Sequence, residues 1–312
     1  MSDIAFPLIG HDALEAEFLS AVNSGKLHHG WMIEGPSGIG KLLMAKRFAM
    51  YLLGARGSGD NPLDASVDDD VISKVISGGH PDIRIIERQL NDKGKLKQDI
   101  NVSQIRELTH FFELKPGLGG WRVGIIDSLD EMNRNAENAL LKTLEEPSHN
   151  CALFLINHGT ETVLPTIRSR CRVMRAKPLS DDDTVAVLNR HGAPAQAADV
   201  ADGRPGRGIA LASPSGLRAA SAARDIVKSI PRIPEALVAS AVQAASADEI
   251  ALDAFVTEIM RWLKNSALKN PAYAAGWIDI SKVMSERRKL NMDTTQTVSK
   301  LIATLYQMAP QK

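Results

Sequence analysis

Seven consecutive residues, Gly35-Pro36-Ser37-Gly38-Ile39-Gly40-Lys41, have the types and spacing to hold a phosphate. Glycines at 35, 38 and 40 let the backbone amides turn toward one point, and Lys41 can neutralise an anion held there. A plain tight turn between a strand and a helix is the alternative reading. Position 42 is leucine, whereas a nucleotide-hydrolysing loop of this kind carries a hydroxyl there that reaches a magnesium ion. A second acidic position, Asp127, ends the run Arg122–Ile126 and is placed to orient a metal or its water; a turn or helix partner is the alternative for a lone acid. Ser128 follows it, and Asp130 and Glu131 read as the start of the next helix, whose positive end favours acids.

A third place could do chemistry on something outside the chain. Arg168-Ser169-Arg170-Cys171 follows the lead-in Leu164-Pro165-Thr166-Ile167. A guanidinium carries permanent charge and forked donors that match a γ-phosphate, which makes Arg170 a candidate finger. The other reading makes Arg168, Arg170 and Arg172 an ordinary basic edge strand. Cys171, a lone small thiol, is expected to pack as an apolar residue without chemistry. Asn157 ends another apolar run and fits either a polar sensor or a capping residue.

These residues need elements to carry them. Gly30–Glu34, Asp82–Ile86, Arg122–Ile126 and Ala152–Ile156 are short, continuous apolar runs that predict strands buried on both faces. Helices are predicted over Leu42–Leu53, Ser103–Phe112 and Glu131–Glu146; the last is stopped by Pro147 and carries Met132, Ala136, Ala139, Leu140, Thr143 and Leu144 on one stripe. Strands alternating with helices predict an α/β class with a parallel sheet covered by helices. Gly54–Asp70 reads as an exposed excursion and Lys93–Lys97 as a basic hairpin tip.

From Pro178 the texture becomes Ala-rich and helical. Three domains are therefore expected: 1–177 around the phosphate loop, 178–213 as a small helical lid, and 214–312 as a helical bundle. Helices are predicted around Leu217–Lys228, Ile233–Ala245, Glu249–Lys264 and Thr294–Met308, with Trp262 and Trp277 as large anchors. The basic run Glu286-Arg287-Arg288-Lys289 invites a nucleic-acid reading but reads as solvated helix surface.

Composition narrows the function classes. With 44% hydrophobic and 24% charged residues the chain is globular rather than disordered, and no apolar run approaches the ~18 residues of a membrane span. No membrane association and a cytoplasmic location are expected. The 37 basic and 37 acidic residues cancel, so any nucleic-acid contact must be local. Two cysteines make neither a disulfide framework nor a four-sulfur zinc site.

Taken together, the phosphate loop, Asp127, and the Ser169-Arg170-Cys171 triplet resemble the delta-prime branch of the bacterial DNA polymerase III clamp-loader family, which is of the AAA+ type. Further marks are Leu27-His28-His29, Gly79-His80-Pro81-Asp82, the helical stretch Asn133–Pro147 with its Asn138-Ala139-Leu140-Leu141-Lys142-Thr143-Leu144-Glu145-Glu146-Pro147 end, and Gly206-Arg207-Gly208-Ile209-Ala210-Leu211. They cover roughly the first two-thirds of the chain. The resemblance implies an AAA+ sheet domain, a lid and a collar that joins subunits in a ring. It implies that Arg170 projects to a neighbour's ATP, that Asn157 is a sensor, and that Arg207 is a second sensor, with Arg204 an open alternative.

Such ATPases follow Asp127's counterpart with a glutamate base, so Ser128, like Leu42, implies weak ATP or ADP binding at most and no efficient hydrolysis within this chain. Many family members carry a four-cysteine zinc module after the phosphate-loop helix. Gly54–Asp82 has no cysteine, so no zinc is expected, and no cofactor is required. The implied partners are delta and gamma or tau subunits, with the sliding clamp and primed DNA met through the assembled complex of the DNA-directed DNA polymerase. An ATP-hydrolysing gamma-like motor, using Lys41 and Asp127, is the nearest alternative. A small-molecule P-loop kinase is the more distant one.

Overall fold

The computed structural model describes residues 7–91, 94, 96–160, 162–267, 272–290 and 292–308. The chain divides into two compact units, Met1–Asp183 and Thr184–Lys312. The segments expected as lid and collar fall mainly in the second.

The first unit runs α1 (Asp12–Asn23), β1 (Gly30–Glu34), α2 (Lys41–Leu52), α3 (Asp70–Ile76), β2 (Ile83–Ile86), α4 (Val102–Glu113), β3 (Arg122–Asp127), α5 (Arg134–Glu145), β4 (Cys151–Asn157), α6 (Pro165–Arg168), β5 (Arg172–Arg175) and the start of α7 (Asp181–Arg190). The strands form one parallel sheet in the order β2-β3-β4-β1-β5. This is the expected α/β class. β1 and β4 lie inside the sheet and are covered on both faces, which explains their unbroken apolar sequences.

The period-two alternation of strand side chains sorts these residues between two cores. Trp31 meets Phe18 of α1, Phe154 meets both Phe18 and Phe48 of α2, and the Phe18 and Phe48 rings stack at 4.0 Å. Met32, Leu153 and Leu155 belong to the other core, with Ile105 and Leu108 of α4, Leu140 and Leu144 of α5, and Ile167 of α6. At Gly124 of β3 a Cβ would stand 2.8 Å from the Phe112 ring, so the glycine admits α4 close to the sheet.

Two expectations about this unit are corrected. Gly54–Asp70 is no free excursion: Ala55 and Leu63 are buried, Asp69 caps α3, and Arg47 binds both Glu15 (2.9 Å) and Asp64 (2.5 Å). Asn61 adds a bond to Glu15 at 2.7 Å. A buried guanidinium with more than one acceptor fixes a segment that has few apolar residues of its own. Asp130 and Glu131 do not begin α5 either. They sit in a separate single 3₁₀ turn, Leu129–Glu131, and α5 starts at Arg134 because Asn133 caps it through the Ala136 amide. Helices α1 and α3 were not foreseen. For the basic hairpin tip, Leu90 bridges Leu96 in antiparallel fashion, while Lys93 and Lys95 lie outside the described residues.

The second unit is helical: α8 (Gln196–Ala201), α9 (Pro205–Leu211), α10 (Pro214–Lys228), α11 (Glu235–Ala245), α12 (Glu249–Ala267), α13 (Ala272–Leu290) and α14 (Thr294–Met308). Small residues such as Ala219, Ala220, Ala223, Ala241, Ala245, Ala251 and Ala254 fill its core beside Phe255, Ile259 and Leu301. Trp262 packs edge-on against Tyr273 with centroids 4.8 Å apart. Trp277 is no core anchor, for it is 45% exposed on α13, a helix the sequence reading missed. In the basic run, Arg287 pairs with Glu249 at 2.5 Å, and the side chains of Arg288 and Lys289 lie outside the described residues. Among the described residues, no helix is long and apolar enough to cross a membrane, and no group of His, Cys, Asp and Glu could hold a metal ion.

Candidate functional site

Parallel strands end on one edge of a sheet, and their C-terminal ends bring the loops of the candidate site together. Glu34 ends β1, Asn157 ends β4 and Arg175 ends β5, and the register sets Glu34 beside both of them. Asp127 ends β3, next to β4.

The phosphate loop leaves β1 through Gly35, whose φ is 152°; a Cβ there would lie 2.2 Å from the Ala176 carbonyl oxygen. Gly38 and Gly40 also have positive φ, at 84° and 92°. Gly40 stands at the cap position of α2, and no side chain satisfies the first amides of that helix. Such amides are the usual seat of an anion. The imidazole of His11, buried beneath the loop, donates from Nε2 to the Ile39 carbonyl at 2.9 Å.

The backbone therefore fits a phosphate. A divalent ion is less well served, because Leu42 offers no oxygen where a hydroxyl would be needed. Lys41 is 3% exposed and donates from Nζ to the carbonyls of Gly35 and Pro36, both at 2.6 Å. Burial pushes its ammonium down to about 8, against the pull of Asp127 and Asp130.

A lysine depressed in the folded chain binds fewer protons there than in the unfolded chain between about pH 8 and the ordinary lysine value of ~10.4, so stability rises with pH across that window. Below about pH 8 both states are charged and the penalty is constant. In Lys41→Met the rise attributable to this group is expected to vanish. Urea unfolding at pH 7.5 and 9.5, on both proteins, checks it.

The acids after β3 are committed elsewhere. Asp130 accepts from the amides of His158 (2.6 Å) and Thr160 (2.7 Å) and from the Thr160 hydroxyl (3.0 Å). Glu131 pairs with Arg88 at 2.9 Å. Asp127 stands 3.6 Å from His158 Nε2. Ser128 is 1% exposed and its hydroxyl has no partner. Asn157 donates to Glu34 at 3.2 Å and accepts from the Gly159 amide at 2.9 Å, so it ties two strand ends and turns the loop beyond.

Ser169, Arg170 and Cys171 form the turn between α6 and β5. Only Arg172 belongs to the edge strand, which removes the alternative of one basic strand through all three arginines. Arg170 is at the surface: its Nη1 donates to the Thr166 carbonyl at 2.9 Å and its Nη2 pairs with Glu145 at 2.7 Å. Ser169 donates to the same carbonyl at 3.2 Å. Burial pushes the Cys171 thiol up to about 12 and that of Cys151 up to about 11, far from a reactive thiolate. Arg207 lies in the second unit, on α9, and donates to the Thr257 hydroxyl of α12, while Arg204 pairs with Asp202 at 3.2 Å.

The sequence reading missed the pairing of Glu34 with Arg168, whose two Nη atoms meet the two Glu34 carboxylate oxygens. No local pattern signals it, since 134 residues separate the two. Asp82, among the quoted motifs, is fully buried; it accepts from the amides of Gly117 (2.6 Å) and Leu118 (2.9 Å) and so holds the turn before β3.

A family model described as DNA polymerase III, delta subunit, matches residues 10–180. Among curated relatives, DNA polymerase III subunit delta' of Pseudomonas aeruginosa is 38% identical over 151 residues, covering 48% of this chain and 43% of the relative. DNA polymerase III subunit gamma of Buchnera aphidicola subsp. Schizaphis graminum is 30% identical over 176 residues, covering 56% and 46%. The chain thus spans about half the length of the curated relatives it matches. Among solved structures, the Thermotoga maritima RuvB Holliday junction branch migration motor matches over 97% of this chain and 90% of that one, at 15% identity and a TM-score of 0.46.

Proposed function

This chain belongs to the family described as DNA polymerase III, delta subunit, and from that premise we propose that it is a delta-prime-like subunit of the clamp loader. On this reading it is a largely non-hydrolysing stator. It supplies Arg170 in trans to ATP bound by a neighbouring gamma or tau subunit while the assembly loads the sliding clamp on primed DNA. Delta and gamma or tau are its partners, the clamp and DNA are met through the complex, and the setting is the cytoplasm. Its own site requires no nucleotide and no zinc.

The observation that carries the reading is the commitment of the two acids that follow Asp127. A general base must have an oxygen free to take a proton from the attacking water. Both Asp130 oxygens accept backbone or hydroxyl donors, and Glu131 is paired with Arg88. Leu42 points the same way, for it has no oxygen to offer a metal ion on the other side of the loop. Arg170, by contrast, is held only by surface contacts that a stronger anion can replace.

The test is an ATPase assay on the purified chain with magnesium. No turnover above a Lys41→Ala control is expected. Magnesium-dependent turnover that Lys41→Ala abolishes would instead make the chain a gamma-like motor.

A further inference from the structure

The turn that carries Arg170 cannot hold itself in place. α6 is only four residues long and has no side-chain cap, and a single helical turn is unstable alone. Its bonds are local: Ser169 N to Pro165 O at 2.9 Å, Arg170 N to Ile167 O at 3.1 Å, and Arg170 Nη1 to Thr166 O at 2.9 Å. Besides the surface pair of Arg170 with Glu145 at 2.7 Å, two further ties reach beyond it. Ile167 is fully buried in the core under α4 and α5, and Arg168 grips Glu34 with both Nη atoms.

A forked guanidinium–carboxylate pair fixes a plane as well as a distance. The Glu34 carboxylate is itself held, since Asn157 donates to Oε1 at 3.2 Å and Arg175 approaches Oε2 at 3.8 Å. Its side chain is 16% exposed, so it is a sheltered anchor rather than a solvated surface acid. Glu34 also sits on an interior strand, while the turn it holds leads into the edge strand β5.

We propose that Glu34 is the positioning residue for Arg170: through Arg168 it fixes the direction in which the Ser169–Cys171 turn presents the finger to a neighbouring nucleotide. This rests on the reading of Arg170 as a finger acting in trans. Displacing a reacting group by about 1 Å can cost on the order of a hundredfold in rate, so a looser turn lowers turnover without changing what is bound.

The test uses the reconstituted clamp loader with DNA and clamp, reading kcat and KM for ATP and the mass of the assembly. Glu34→Gln, which keeps the shape and the amide contact while removing the charge, is expected to lower kcat several-fold, with KM and assembly mass unchanged. Arg168→Lys keeps the positive charge and loses the fork, and is expected to do the same. If the two act through one contact, the double variant loses no more than the worse single one. A wild-type kcat in Glu34→Gln, alongside a depressed kcat in Arg170→Ala, overturns the positioning role and leaves the finger standing. A wild-type kcat in Arg170→Ala removes the finger itself. Should Glu34→Gln fail to assemble, Arg168→Lys decides between the same two outcomes: a several-fold lower kcat supports the positioning role, and a wild-type kcat overturns it.

Discussion

Alanine at position 170 is expected to leave the chain folded and able to assemble, yet to lower DNA-stimulated ATP hydrolysis by the reconstituted clamp loader at least ~tenfold. A finger that completes a phosphoryl-transfer site is worth about 10³–10⁵ in rate where one such group serves one site, and a ring with several sites dilutes the loss. Folding is spared for a separate reason. Arg170 contributes a surface ion pair with Glu145 and one bond to the Thr166 carbonyl, and exposed pairs of this kind are worth roughly 0–1 kcal/mol. Phosphate has to displace Glu145 from the guanidinium, and its greater negative charge favours that exchange. The check is the steady-state ATPase rate with primed DNA and clamp, beside a melting curve of the free subunit. An unchanged rate removes the assignment.

The second large effect concerns folding. Arg47 and Glu15 form a pair in which each side chain is at most 4% exposed, and Asp64 and Asn61 complete the network. Arg47→Ala strands the Glu15 carboxylate in the interior. Breaking a buried pair from one side is expected to cost about 3–5 kcal/mol. Removing both charges together, as Glu15→Gln with Arg47→Met, is expected to recover much of that loss, because no uncompensated charge remains. Chemical denaturation of the three proteins measures both. A single variant within ~1 kcal/mol of wild type, the scale of an exposed pair, would show that water reaches Glu15.

What could be read from sequence followed the strength of the local pattern. β1, β3 and β4 announce themselves because burial on both faces demands unbroken apolar runs, and the stripe of Ala136, Leu140 and Leu144 gives α5 its face. α3 was hidden because it is seven residues long and starts inside an Asp-rich stretch. The segment before it is fixed by Arg47, which reaches Asp64 from α2 and leaves no local pattern. α13 was hidden because its apolar residues do not keep to one side; Trp277 and Ile278 are exposed while Ile280 and Val283 are buried. At the candidate site the glycines and Lys41 were legible from spacing. The grip of Glu34 on Arg168 was not, because 134 residues separate the two and only the parallel register of β1, β4 and β5 brings them together.

The clasp of Asp130 on the loop after β4 bears on how such a pocket changes over generations. A mutation restoring a hydroxyl at position 42 supplies a metal ligand with no base beside it. Freeing Asp130 to act as that base would release the amides of His158 and Thr160. A glutamate at 128 would have to fit where the serine is already enclosed. On the proposed reading of a non-hydrolysing subunit, each step back toward an independent engine is therefore neutral or harmful taken singly, so that state works as a ratchet against single changes.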